Sequence, residues 1–357
     1  MHLFALLSLL LLTRAALATI LAVSAARNCF PALGFRMPQH TPPDSSLEDG
    51  SWWCDPSTEY AFVGFSYEVT ACQSLEQLKQ EFHDIRYHFN SRYVRLYGAC
   101  DRDGFYDDIV EAAWENTLGV HALIWVQMIS LFGASVTYSF QFGFNLDDIW
   151  MGRRDVLLAA LHSNPRAKFV TRVLQFGSEP LFDDVLPVDQ LTEQVQLAKT
   201  NLSDVHIPVT VSELAFGYQE RDGSQELLDA LDSINIHMLP FFSQEASIAN
   251  NSWPLVLTDL DWFIEHGNGK KMYFDENGWP SVTSPSVQPN SPLAVSNIQN
   301  EHDYFVLLDS MCEYLKNVVG GGVGYFFHIY SDNQEPGYGL YNSTGQLKFP
   351  FQARTHC

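Results

Sequence analysis

Eight short apolar runs of strand type, each followed by a stretch of helical spacing, most constrain the fold of this 357-residue chain. The runs are Ala61–Tyr67, Tyr93–Tyr97, His121–Trp125, Val170–Glu179, Ile207–Glu213, Ile234–Phe242, Lys271–Glu276 and Gly324–Tyr330. Between them lie helical patterns such as Leu75–His88, where Leu75, Leu78, Phe82 and Ile85 share one face. Regular alternation of the two periods predicts a parallel α/β fold, and eight repeats predict a single (β/α)8 TIM barrel. A doubly wound sheet is the competing architecture. It normally carries a glycine-rich phosphate turn after its first strand, and Gly64-Phe65-Ser66 is not one.

In such a barrel the chemistry sits where strands end at their C-terminal edge. Three runs end there on a glutamate, and two of these glutamates sit in longer motifs. VLQFGSEP ends the fourth with Glu179, and KMYFDENGWPS ends the seventh with Glu276, followed by an Asn277-Gly278 turn. Two carboxylates converging on one face fit glycoside hydrolysis, where one protonates the leaving oxygen and the other attacks the anomeric carbon or activates water. Glu213, at the end of the fifth run, is the rival carboxylate.

The motifs resemble the two signatures of glycoside hydrolase family 17, the β-1,3-glucanases and glucanosyltransferases of plants and fungi. GSEPLF and FDENGWPS carry the likeness, and YSDNQEPGYGLYN at Tyr330–Asn342 resembles the family's closing FDENQKPG…FGLF segment. The resemblance implies a retaining enzyme with Glu179 as general acid/base and Glu276 as nucleophile, acting on β-glucan without metal or cofactor. Ser178 stands where the family has Asn or Ser before its acid. Asp332 matches the family's Glu after the eighth strand, and Glu335 stands where many members have Lys. Asp275 and Asn277 replace Thr-Thr type neighbours of the nucleophile, and strand alternation predicts that Asp275 points away from Glu276. Further cleft-lining candidates are Tyr67, Arg95, Tyr97 and His237, with Trp279 as a sugar-stacking indole. Arg95 in an apolar strand demands a carboxylate partner. Phe241, Phe242, Phe326 and Phe327 read as barrel packing.

Outside this domain the sequence points to a secretory route. Leu3–Leu12 is an apolar run followed by small residues suited to signal-peptide cleavage after Ala18 or Ala25, and Arg14 interrupts it. Residues 1–25 are thus expected to be a leader, 26–59 a proline-rich arm and 60–357 the catalytic domain. Six cysteines without a CxxC motif suggest disulfides, with pairing open, and Asn201, Asn250 and Asn342 head glycosylation sequons. The net charge of −22 argues against nucleic acid or an anionic membrane as partner. The expected protein is a monomer in the extracellular space or cell wall. One span fits poorly: the apolar residues 126–141 read either as a long active-site loop or as a retained intron, since valine codons begin GT and a glutamine codon can end AG.

Overall fold

The computed structural model describes residues 28–125, 149–285 and 287–357, so the leader and the span 126–141 lie outside the described residues. The eight strands are β1 Ala61–Glu68, β2 Tyr93–Tyr97, β3 Gly119–Ile124, β4 Thr171–Ser178, β5 Val209–Glu213, β6 Ile234–Met238, β7 Met272–Asn277 and β8 Val323–Phe327. Each pairs in parallel with its sequence neighbours, and β8 returns to β1, closing a (β/α)8 barrel. Every strand is buried on both faces, which is why each reads as an apolar run rather than an alternating one. The sixth run ends early: Pro240 cannot supply a ladder N–H, and Pro240–Phe242 turns into a short 3-10 helix. Among the described residues no helix is long and apolar enough to cross a membrane.

Helices cover the outer face of the barrel. Leu75–His83 caps its start with the Ser74 hydroxyl, which accepts from the Gln77 N–H, and buries Leu78 and Phe82. Its continuation, Asp84–His88, widens into a π-turn and so extends the helical stretch to the predicted end at His88. Asn297 caps Ile298–Ser310 in the same manner, accepting from Asn300.

The six cysteines form three disulfides, Cys29–Cys54, Cys72–Cys100 and Cys312–Cys357. The first pins the proline-rich arm, which packs against the lower end of the barrel. Phe30 stacks on Trp52 with ring centroids 5.1 Å apart, and the Trp52 indole donates to the Phe169 carbonyl at 2.8 Å. Arg86 donates to the carbonyls of Pro31 and Ala32, tying the arm to the first helix.

Above the arm the barrel floor is ionic. Glu59, wholly buried, accepts from Tyr93 at 2.6 Å and from Tyr273, and lies 3.2 Å from Arg172 and 3.9 Å from Arg92. Lys271 donates to the carbonyls of Glu59, Gly321 and Gly322, binding the floor to the turn before β8. A buried ion pair is costly to break from one side, because the abandoned charge keeps its desolvation penalty. Glu59→Gln is therefore expected to destabilise the protein by about 3–5 kcal/mol in urea denaturation. Glu115→Ala, which removes the exposed partner of Lys79, is expected to cost no more than about 1 kcal/mol.

Candidate active site

The barrel interior is built in polar tiers. Asn235, Gln175 and His121 form the middle tier. The Asn235 amide donates to Gln175 at 3.1 Å and to Asp275 at 3.3 Å. Burial pushes the His121 imidazole down to about 3, so this tier holds a neutral ring.

Above it stands the Arg95 guanidinium, fully buried at the third residue of β2. Its Nε donates to Gln175 at 3.3 Å and Asp275 at 3.2 Å, and one terminal nitrogen donates to Glu276 Oε2 at 3.2 Å. The other reaches the hydroxyls of Ser178 at 3.2 Å and Ser212 at 3.0 Å. The carboxylate partner that the sequence demanded of Arg95 is thus two carboxylates, on consecutive residues of one strand.

That arrangement corrects the alternation expected for Asp275, which faces inward beside Glu276. The β6–β7 register supplies the reason. Ile236 pairs with Phe274, but His237 pairs with Glu276, so Asp275 is an extra residue in a bulge. Asn277, next along, turns outward and accepts from the Tyr304 hydroxyl at 2.7 Å. Burial raises the Asp275 carboxyl, but Arg95, His237 and Ser212 outweigh it and hold the group below its ordinary range.

A second irregularity aims Glu179. The β4–β5 register shifts between Gln175 and Ser178, Gly177 has φ +93° and Glu179 itself has φ +52°. A left-handed non-glycine residue costs roughly 1–2 kcal/mol. Here the Glu179 N–H donates to the Ser212 carbonyl at 2.8 Å and the Asp183 N–H to the Glu179 carbonyl at 2.9 Å, which fix the bend. The result is a partly exposed carboxylate over the barrel mouth.

His237, the last inward residue of β6, links the two glutamates. Its Nδ1 lies 2.7 Å from Glu179 Oε1, and its Nε2 lies 2.7 Å from the Ser212 hydroxyl and 3.4 Å from Glu276 Oε2. Ser212 spends its proton on Asp275 at 2.5 Å, so Nε2 is the donor toward Ser212. Both ring nitrogens then donate. Burial opposes the charge, yet Glu276, Glu179 and Asp275 outweigh it and push the imidazole up to about 9.

The remaining candidates divide. Ser178 joins the cluster, 3.4 Å from His237. Tyr97 lies over Arg95 at 5.2 Å and packs edge-on to Trp125, and burial, then Glu276, Glu335 and Glu179, raise its hydroxyl well above normal. Glu335 pairs with His328 at 3.0 Å on the neighbouring rim. Three candidates fall outside. Tyr67 points away from the interior and gives its hydroxyl to Glu81 on the first helix. Trp279 is fully buried, packs on Phe241 at 5.3 Å and donates to the Val295 carbonyl, so no sugar reaches its indole. Asp332 accepts from the Gly337 and Gly339 N–H groups and from Lys348, which makes it a staple of the loop after β8. The rival Glu213 also turns from the mouth, accepting from the N–H groups of Leu181, Phe182 and Leu214.

Sequence reasoning did not single out Ser212, Gln175, Asn235 or His328. Each is an ordinary polar residue within a strand run or at its end, and only the barrel's inward phase selects it. Ligand atoms of Glu179, His237 and Glu276 all lie within 4.8 Å of one another, close enough to hold a cation. The Arg95 charge and the doubly donating His237 already supply the positive partners there.

Residues 61–339 match the family described as the BtgE/BtgC glycoside hydrolase domain. No curated protein matches the sequence. Among solved structures, the glycoside hydrolase family 17 β-1,3-glucanosyltransferase from Rhizomucor miehei superposes with a TM-score of 0.63 at 17% identity, over 84% of this chain and 99% of that one. An active-site mutant of the Rhizomucor miehei β-1,3-glucanosyltransferase, in complex with laminaritriose, gives 0.63 at 16% identity with the same coverage. The exo-β-1,4-mannosidase Op5Man5 from Opitutaceae bacterium strain TAV5 gives 0.54 at 12%, over 81% of this chain and 57% of that one. At such identities these likenesses concern the fold.

His237 sets a pH signature. Its folded value of about 9 exceeds the ordinary ~6.5, so its stabilising contribution is complete below about pH 6.5 and is lost as pH rises through 9. The melting temperature of the wild type is expected to fall over that interval. In His237→Phe the fall attributable to this group should vanish, as a Tm–pH series for the two proteins would show.

Proposed function

The chain belongs to the BtgE/BtgC glycoside hydrolase domain family, and from that premise we propose a secreted, retaining glycosidase acting on β-1,3-glucan by double displacement. One observation carries the reading. Carboxylate oxygens of Glu179 and Glu276 approach within 4.8 Å at the C-terminal ends of β4 and β7. Retaining enzymes keep the two carboxyl groups ~5–5.5 Å apart, and inverting enzymes leave room for water between them.

Under this reading the geometry supports the following steps. Arg95 and His237 take Glu276 Oε2, so attack on the anomeric carbon falls to Oε1. As the new carbon–oxygen bond forms, the bond to the leaving sugar breaks and its oxygen takes the proton from Glu179. The Glu179 carboxylate then removes a proton from water or from another sugar hydroxyl. That oxygen attacks the anomeric carbon and releases Glu276. The Arg95 charge stabilises the Glu276 carboxylate both before attack and as it departs.

Water as acceptor makes the protein a hydrolase, and a glucan hydroxyl makes it a glucanosyltransferase. The latter is the activity named for the Rhizomucor structures. Three disulfides and surface-exposed Asn201 and Asn250 suit an oxidising, extracellular or wall location. A monomer acting without metal or cofactor completes the proposal. A barrel that only binds wall glucan is the competing reading, since Asp275 and Glu335 depart from the family pattern.

Reduced laminarin oligosaccharides, with products followed by mass spectrometry, separate these cases. Shorter products identify a hydrolase, longer ones a glucanosyltransferase, and bound but unconverted substrate a wall-binding barrel. Glu276→Gln should abolish turnover. Glu179→Gln should lower it by about a hundredfold to ten-thousandfold.

A further inference from the structure

Strands β4 and β5 end in the same pattern. Ser178-Glu179-Pro180-Leu181-Phe182 and Ser212-Glu213-Leu214-Ala215-Phe216 each place a phenylalanine three residues after a glutamate. The patterns are in step, because Ser178 and Ser212 are register partners. Their glutamates diverge. Glu179 turns over the mouth to meet His237, while Glu213 turns into the two loops and accepts from the Leu181 and Phe182 N–H groups. Glu213 fits there because Gly217 leaves it space: a Cβ on that glycine would lie 2.5 Å from its carboxylate.

The stitched segments, the turn after β4 and the short helix Ala215–Gln219 after β5, carry Phe182 and Phe216 side by side. Their ring centroids are 6.1 Å apart and inclined at 64°. Both rings are about half exposed, at 47% and 50%, although Leu181 in the turn after β4 and Ala215 at the start of the short helix Ala215–Gln219 are buried beside them. Two adjacent aromatic rings held open to solvent, one on an anchored turn and one on a short helix, leave a large apolar surface exposed. The Phe182 loop is also the Glu179 loop, since the Asp183 N–H donates to the Glu179 carbonyl. Asp183 further feels the charges of Glu179, Glu213 and Glu276, so this turn borders the catalytic cluster.

Under the reading above, Glu179 hands its proton to the leaving sugar, so the loop bearing it borders the side from which that sugar departs. We propose that Phe182 and Phe216 form a stacking platform for the pyranose units on the leaving-group and acceptor side of the scissile bond. The ligand is neutral β-glucan, whose sugar faces present axial C–H groups to aromatic rings, and neither phenylalanine contacts the reacting atoms. The proposal rests on the double-displacement reading and assigns one side of its cleft.

Two substrates isolate that side. Laminaribiosyl β-fluoride fills the glycon side and expels only fluoride, whereas reduced laminaripentaose must also seat a leaving sugar. The ratio of kcat/KM for laminaripentaose to that for the fluoride is expected to fall about tenfold in Phe182→Ala/Phe216→Ala. Fluoride turnover and melting temperature should stay at wild-type values. An unchanged ratio in an active double variant overturns the platform, as does an equal loss on both substrates. A wild type inert toward both substrates overturns the double-displacement reading itself and the platform with it. Phe182→Tyr/Phe216→Tyr, which keeps both rings, should restore the ratio.

Discussion

The fully buried guanidinium of Arg95 organises everything above the barrel floor. A buried charge on an apolar strand is tolerable only if neighbours repay its lost hydration. Arg95 therefore gathers Asp275, Glu276, Gln175, Ser178 and Ser212 around one planar fork. These partners come from β4, β5 and β7, so one side chain on β2 ties half the strands to one another.

Both proposed catalytic glutamates are delivered by departures from regular strand geometry. In β7 the bulge at Asp275 puts two successive carboxylates inside the barrel. In β4 the shift before Ser178 and the left-handed Glu179 bring a side chain across the mouth that an ideal strand would have sent elsewhere. Such irregularities weaken the ladder locally, and they collect where a side chain must be re-aimed. Below them the floor around Glu59 is buried and covered by the arm, although the β1–β8 and β3–β4 registers shift there too, between Phe62 and Gly64 and between Val120 and His121. Ionic packing and chemistry thus occupy opposite ends of the same strands.

The fold was legible because parallel barrel strands are buried on both faces and leave continuous apolar runs, which β2 matches residue for residue at Tyr93–Tyr97. The glutamates were legible because strand ends are where carboxylates have no packing reason to be. Their surroundings were less so. A one-residue bulge leaves no trace in an apolar pattern, hence the misplacement of Asp275. An indole after a turn reads the same whether it meets sugar or core, and only the contacts of Trp279 with Phe241 and Val295 decide. Tyr67 failed for a simpler reason: it follows the inward Ser66, and the barrel's phase is not written in any single strand.

The covered lower mouth also fixes how this barrel can be mounted. The arm enters beneath the floor through Cys29–Cys54, and the last residues return to the same end, where the Arg354 carbonyl accepts from Phe62 at the start of β1. Cys357 is anchored there to Cys312. Both ends of the described chain thus lie opposite the cleft. Immobilised on a solid support through either end of the described chain, the barrel would hold its mouth outward, open to solvent rather than smothered by its own attachment.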